Sequence, residues 1–246
     1  MKTIKFILLF FVTLNLTAEQ PKNILFVGNS YLYYNNSVHN YVELMLREHY
    51  GTDIETKLSA IGGSRLQHHN IDHLLDFNNL NLDQQIDLLI MQGGSAEVTT
   101  KENQNKFEST AKAYSSKAQN LGIKTALYMT HAYTEADRRF EPNLIDKIMK
   151  TYYSAGEASN SMVIPVGLAY DMAYKEKPDI KLHHPDGTHP GPLGTYLASA
   201  TVVASITGKS PVGLEFNYYN SISNDDRIFL QEIAWKAYLK GQKNLN

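Results

Sequence analysis

The sequence contains no cysteine. It therefore has no disulfide bond, no thiolate ligand for a metal, no thiol nucleophile and no lipid-modified cysteine to hold it on a membrane. Exported bacterial enzymes can do without disulfides, so this absence is compatible with a periplasmic or secreted protein.

The sequence also lacks an excess of charge of one sign. It has 23 lysines and arginines against 25 aspartates and glutamates, a formal net charge of -2 and no long basic or acidic run. Such a chain is not expected to bind nucleic acid or an anionic membrane. With 246 residues, of which 43% are hydrophobic and 20% charged, it is typical of one soluble globular domain.

A long hydrophobic run is missing as well. Residues 6–14 are nearly all apolar, follow a short basic start and precede a possible cleavage site at residues 16–18. The run is short for a membrane span, although an uncleaved anchor stays an alternative. We predict a signal peptide over residues 1–18 and one catalytic or binding domain over residues 19–246, without stable membrane association after cleavage.

Short apolar runs alternate with segments of helical periodicity. Strands are predicted over residues 24–27, 54–60, 86–91, 123–129 and 162–166, and helices over residues 38–49, 66–75, 106–121, 144–158, 193–206 and 226–239. This alternation predicts an α/β domain with a parallel sheet and helices on both faces. Residues directly after the strands should then meet at one rim of the sheet.

The residues that nucleophilic catalysis requires stand at two places in the chain. Ser30 follows the first predicted strand behind Gly28 and Asn29, and Asp186 precedes His189 by three residues. A hydroxyl nucleophile needs a base to take its proton, and the base needs a carboxylate to orient it. Ser30 could instead cap the next helix. His184, two residues from Asp186, is the alternative base.

These blocks resemble those of the SGNH hydrolases. Gly28-Asn29-Ser30 resembles their GDSL-type nucleophile block, and the segment from Asp186 to His189 resembles their final Asp-x-x-His block. The resemblance implies a flavodoxin-like three-layer α/β/α sandwich with a parallel five-stranded sheet. It also implies a Ser-His-Asp triad that works through an acyl-enzyme.

The resemblance further implies an oxyanion hole. Gly63 is placed like a residue of the family's glycine block, so its N–H and that of Ser30 are predicted donors, although Gly63 could only form a turn. The third block departs from the usual pattern, because no asparagine follows Gln92-Gly93. It is similar to the block of carbohydrate acetylesterases in which a glutamine serves the oxyanion. We assign that role to Gln92, with Ser95 as second candidate.

Histidine pairs at two places raise the question of a metal. His68, His69 and His73 lie together, and His183 and His184 precede the predicted triad residues. In neither group does a further potential ligand follow at a spacing that is typical of metal sites. We therefore predict no metal and no cofactor.

The predicted substrate is a small-molecule or glycan ester. Tyr31 and Tyr33 follow the predicted nucleophile, and exposed tyrosine rings would suit stacking on a sugar, unless these rings pack beneath the loop. Together with the glutamine block, this favours a serine esterase that removes short acyl groups, acetate first, from a carbohydrate. The alternatives are a lysophospholipase- or thioesterase-like enzyme and a glycan-binding module without catalysis.

Overall fold

The computed structural model describes residues 20–51 and 53–243. The predicted signal peptide, residues 1–18, lies outside the described residues and stays a prediction. Within the described part, no helix combines the length and the apolar character that a membrane crossing requires.

A sheet of five parallel strands forms the middle layer. The strands are β1 (Asn23–Gly28), β2 (Glu55–Ala60), β3 (Leu88–Gln92), β4 (Lys124–Tyr128) and β5 (Met162–Ile164), and they lie in the order β2-β1-β3-β4-β5. β1 and β3 are almost fully buried, as a sheet covered on both faces requires. The strand order is that of the flavodoxin-like doubly wound sheet, so the predicted fold class is confirmed.

Helices cover both faces of the sheet. They are α1 (Ser30–Tyr33), α2 (Val38–Tyr50), α3 (Ile71–Leu74), α4 (Lys101–Gln119), α5 (Leu144–Ser159), α6 (Val166–Glu176), α7 (Pro192–Thr207) and α8 (Asn224–Lys243). Ile24 and Phe26 of β1 join one core with α2, α6, α7 and α8. Leu25 and Val27 point to the other face and join a second core with α3, α4 and α5. Because side chains alternate between the two faces of a strand, β1 contributes residues to both cores.

The helices differ from the predictions at two places, besides the one-turn helix α1, which was not predicted. The single helix predicted over residues 66–75 is a 3-10 turn (Leu66–His68) followed by α3, because the Asn70 side chain accepts the His73 N–H and starts a new helix. The sequence analysis missed α6 altogether. Its first five residues are all buried and therefore show no amphipathic stripe, and the helix begins directly after Pro165.

The rim predicted from the strand ends is present. Ser30 follows β1, Gly62 and Gly63 follow β2, and Gly93 follows β3. β1 and β3 are neighbours, and the chain turns to opposite sides of the sheet beyond them. This is the topological switch point at which doubly wound sheets open a crevice for a ligand.

Candidate active site

A cavity of about 410 Å³ opens at this switch point. Ser30, Gly63, Gly94 and His189 are among the residues that line it. A larger hollow of about 840 Å³ lies at the opposite end of the sheet, beside the first residues of three strands. That hollow contains none of the predicted catalytic residues, so the chemistry and not the volume identifies the candidate site.

The turn after β1 presents the candidate nucleophile. The Asn29 side chain caps α1 by accepting the Tyr31 N–H at 3.1 Å, and its amide donates to the Ser64 carbonyl at 3.0 Å. Asn29 therefore fills the capping role that was the alternative for Ser30 and ties the turn to the loop after β2. Ser30, the first residue of α1, directs its hydroxyl toward His189.

Ser30, His189 and Asp186 form one hydrogen-bonded series. His189 Nδ1 lies 2.6 Å from Asp186 Oδ2, and His189 Nε2 lies 2.9 Å from Ser30 Oγ. A carboxylate can only accept, so Nδ1 carries the proton and Nε2 of the neutral ring accepts the Ser30 hydroxyl. This is the tautomer that a general base for Ser30 needs.

The Asp186 carboxylate is held in its charged form. Burial opposes ionisation, but the hydrogen bond to the His189 side chain and two backbone N–H donors outweigh it and hold the pKa of Asp186 well below its usual range. Those donors are the Thr188 and His189 N–H groups, each 2.9 Å from Oδ1. His184 Nδ1 lies 3.5 Å from Oδ2, and its side chain is 53% exposed. The ring that contacts Ser30 is that of His189.

A buried layer supports the loop that carries Asp186 and His189. The Tyr31 hydroxyl lies 2.8 Å from Thr188 Oγ1, and His131 Nε2 lies 2.8 Å from the Thr188 carbonyl oxygen. Burial lowers the pKa of His131 well below its usual value, so the ring is neutral and donates from Nε2. The sequence analysis missed His131. Its position shortly after β4, where polar residues join the rim, was the signal available.

The two tyrosines predicted to bind substrate both line the cavity but differ in exposure. Tyr31 is 3% exposed and its ring stacks on His131 with centroids 4.4 Å apart, which favours the alternative that this ring packs beneath the loop, and its contact with substrate stays a prediction. Tyr33 is 41% exposed and lines the cavity, so its contact with substrate stays a prediction. Tyr34 stacks on His189 with nearly parallel rings and centroids 4.1 Å apart.

Backbone donors face the cavity. Gly63 adopts φ +68°, a left-handed conformation that glycine tolerates best, and it lines the cavity with Ser30. In residues 20–51 and 53–243, the N–H groups of Ser30 and Gly63 have no hydrogen-bond acceptor. Both groups are therefore free to bind an oxyanion.

Gln92 does not reach the cavity. Its side-chain oxygen accepts the Asn29 N–H at 2.9 Å, and its amide donates to the Gly93 carbonyl. The amide is buried against Gly28, where an added Cβ would lie 2.5 Å from the Gln92 oxygen, and Gln92 is not among the described residues that line the cavity, so its oxyanion role stays a prediction. Ser95 lines the cavity and stays the second candidate.

The histidines near residue 70 serve the fold. His69 is buried with Nε2 3.2 Å from Ser64 Oγ, and His68 Nδ1 accepts the Arg65 N–H at 3.2 Å. Across the part of the chain that the structure describes, three or more histidine, aspartate or glutamate side chains nowhere gather closely enough to hold a metal.

Comparison with known proteins gives a match in fold only. No family model and no curated protein matches the sequence. A DUF4886 family protein from Bacteroides uniformis is 16% identical with a TM-score of 0.70, over 88% of this chain and 94% of that one. A Slackia heliotrinireducens protein described as an SGNH hydrolase is 20% identical, with a TM-score of 0.58 over 75% and 98% of the two chains.

An acetylxylan esterase from Geobacillus stearothermophilus is also similar in structure. It is 16% identical with a TM-score of 0.59, and the match covers 77% of this chain and 96% of the esterase. Identities this low establish a common architecture and leave the activity to be argued from the site. The resemblance inferred from the sequence is thus confirmed at the level of architecture: the chain has the fold of the SGNH hydrolases.

Proposed function

We propose that this protein is a serine esterase that hydrolyses short-chain carboxylic esters, with O-acetyl groups on a carbohydrate as the first substrate class. The observation that carries the proposal is the continuous series from Asp186 through His189 to Ser30, with contacts of 2.6 and 2.9 Å. A nucleophile, a base and an orienting carboxylate in this order, beside a cavity with free N–H donors, are the components of acyl transfer.

The reaction follows from the positions of the protons. Ser30 Oγ attacks the ester carbonyl carbon while His189 Nε2 takes the hydroxyl proton, and the carbonyl oxygen becomes an oxyanion. The C–O bond of the ester then breaks, and His189 gives its proton to the departing alcohol. Water next attacks the acyl-serine with His189 again as base. The acid leaves and Ser30 regains its proton.

The surroundings of the triad lower the energy of the charged species. The N–H groups of Ser30 and Gly63 would donate to the oxyanion, and losing one such donor costs about 3–4 kcal/mol of transition-state stabilisation in hydrolases. Asp186 stabilises the imidazolium of His189, since the low pKa of this carboxyl keeps it charged when the ring gains its proton.

The lining of the cavity favours a short acyl group and a polar alcohol. Among the described residues that line it, Ala96 is the only one with a purely aliphatic side chain, whereas four serine or threonine hydroxyls, three tyrosines, one asparagine amide and two guanidinium groups are present. A fatty chain would need apolar side chains along its length, and acetate does not. The similarity in fold to an acetylxylan esterase supports a carbohydrate ester.

The test uses 4-nitrophenyl esters with the wild-type protein, Ser30→Ala and the exposed-serine control Ser116→Ala. We expect kcat/KM to fall steadily from acetyl to butyryl to octanoyl. Ser30→Ala should lose activity by at least about a thousandfold with its fold intact, and Ser116→Ala should keep wild-type rates. More than a few per cent of activity in Ser30→Ala would remove Ser30 as nucleophile, and a maximum at octanoyl would contradict the short-chain assignment.

A further inference from the structure

Two arginines stand beside the candidate nucleophile. Arg65 comes two residues after Gly63, and Arg139 lies in the loop between β4 and α5; both line the cavity. Within the described part of the chain, no aspartate or glutamate contributes to that lining. In the described residues, the lining therefore contains two guanidinium groups and no carboxylate, and the acidic partners of these arginines, Asp137 and Glu97, lie outside the lining.

Hydrogen bonds and a ring contact hold Arg139 close to the triad. Its Nε and Nη2 donate to the Asp137 carboxylate at 2.9 and 2.6 Å, and its guanidinium carbon lies 4.2 Å from the centre of the Tyr133 ring. Nη2 also lies 3.3 Å from Thr188 Oγ1, next to His189 in the chain. Asp137 engages one edge of the guanidinium. In the described residues, Nη1 has no hydrogen-bond acceptor, so this donor remains available.

Arg65 is anchored at one nitrogen only. Its Nη1 donates to Asn103 Oδ1 at 2.5 Å and lies 3.9 Å from Glu97 Oε2, which is beyond hydrogen-bond distance. Burial raises the pKa of Glu97, against the opposing effects of the Gly94 N–H and of Arg65. The Nε and Nη2 donors of Arg65 have no acceptor in the part of the chain that the structure describes.

Free donors on fixed guanidinium groups suit one chemical class. Arg65 and Arg139 both line the cavity, and each has at least one donor that no acceptor in the described residues uses. A planar guanidinium matches a carboxylate in geometry and charge, and such hydrogen bonds are about twice as strong as neutral ones. A neutral sugar offers these groups only hydroxyl oxygens.

We propose that the substrate carries a carboxylate near the ester that is cleaved, as in an O-acetylated uronic acid, and that Arg65 and Arg139 bind this carboxylate. The inference rests on the proposed esterase function and deepens it, because it names the class of sugar. It adds no step to the reaction: the carboxylate is held while Ser30 attacks the neighbouring acetyl ester.

The experiment compares two substrates that differ by one charge, acetylated galacturonic acid and its C6 amide, with acetate release as the readout. We expect kcat/KM to be about tenfold higher for the acid, the difference between a charged and a neutral hydrogen bond. The advantage should shrink as ionic strength rises from about 0.05 M to about 0.5 M. Arg65→Gln and Arg139→Gln should bring the ratio of acid to amide toward one. The exposed neighbour Arg138, changed to Gln, is the matched control and should keep the wild-type ratio.

The outcomes separate this inference from the proposed function. An equal kcat/KM for acid and amide in the wild-type protein, with 4-nitrophenyl acetate still hydrolysed, overturns the carboxylate and leaves the esterase. If no ester is hydrolysed, calorimetric binding of the same two sugars to the wild-type protein decides: tighter binding of the acid supports the arginine site, and equal binding overturns it. If Arg139→Gln does not fold, the ratio in Arg65→Gln decides.

Discussion

The distances at the triad decide which histidine can act as base. Both His189 and His184 direct Nδ1 toward Asp186 Oδ2, at 2.6 and 3.5 Å. Only His189 also reaches Ser30, through Nε2 at 2.9 Å. Spacing along the chain does not decide which histidine is the base, because each lies within three residues of Asp186. The fold distinguishes the two rings, since only His189 directs its Nε2 at Ser30.

His189→Ala and His184→Ala are therefore expected to differ widely. Loss of His189 removes the proton acceptor of Ser30 and should lower kcat for 4-nitrophenyl acetate by at least about a thousandfold. Loss of His184 removes one long contact of Asp186 and should lower kcat by less than about fivefold. The exposed residue His73, changed to Ala, is the control. If His184→Ala and His189→Ala lost comparable activity, the assignment of His189 as the base would be wrong.

Single residues differ in how far the sequence predicts them. Ser30, Asp186 and His189 could be named because each belongs to a motif that is local in the chain. The contacts of Gln92 and Tyr31 could not be predicted, because side-chain direction depends on packing partners far away in sequence. The Gln92 side chain packs against Gly28, and the Tyr31 side chain points inward to the hydroxyl of Thr188, 157 residues further along the chain.

At the scale of elements, the loops after the strands hold one another in place behind the cavity. Gln92, at the end of β3, accepts from the turn after β1, and Asn29 in that turn donates to the Ser64 carbonyl after β2. The turn that carries Ser30 is thus fixed from two neighbouring strands. The sequence predicts that these strand ends share a rim. It does not predict the hydrogen bonds between the loops, because these form only when the strands are paired.

Gln92→Met tests this cross-link. The change keeps the volume but leaves the Asn29 N–H and the Gly93 carbonyl without partners, so the free energy of unfolding in urea should fall by about 2–3 kcal/mol. The exposed residue Gln84, changed to Met, should stay at the wild-type value. An oxyanion donor would behave differently: a loss of kcat by about a hundredfold or more with unchanged stability would support the oxyanion role predicted for Gln92.

For the whole molecule, the sequence predicts the five strands and most helices, because alternating apolar runs carry that information. It does not reveal how the histidines are divided between core and surface. His131 is buried between the rings of Tyr31 and Tyr170, and the His183 ring meets it edge-on. Burial lowers the pKa of His131 well below its usual value and that of His183 to about 4. The folded protein therefore keeps both rings neutral at pH values where the unfolded chain would charge them.

This difference gives the stability a defined pH dependence. Both pKa values are lower in the folded state, so the contribution is complete above the unfolded value of about 6.5 and is lost as the pH falls from there toward 4. Each such histidine adds a slope of at most about 1.4 kcal/mol per pH unit. We expect urea unfolding between about pH 7.5 and 4.5 to show stability falling with acidity. His131→Phe, which keeps the stacked ring, should reduce the slope, whereas His73→Phe on the surface should not. An unchanged slope in His131→Phe would mean that the folded protein protonates His131 as readily as the unfolded chain does.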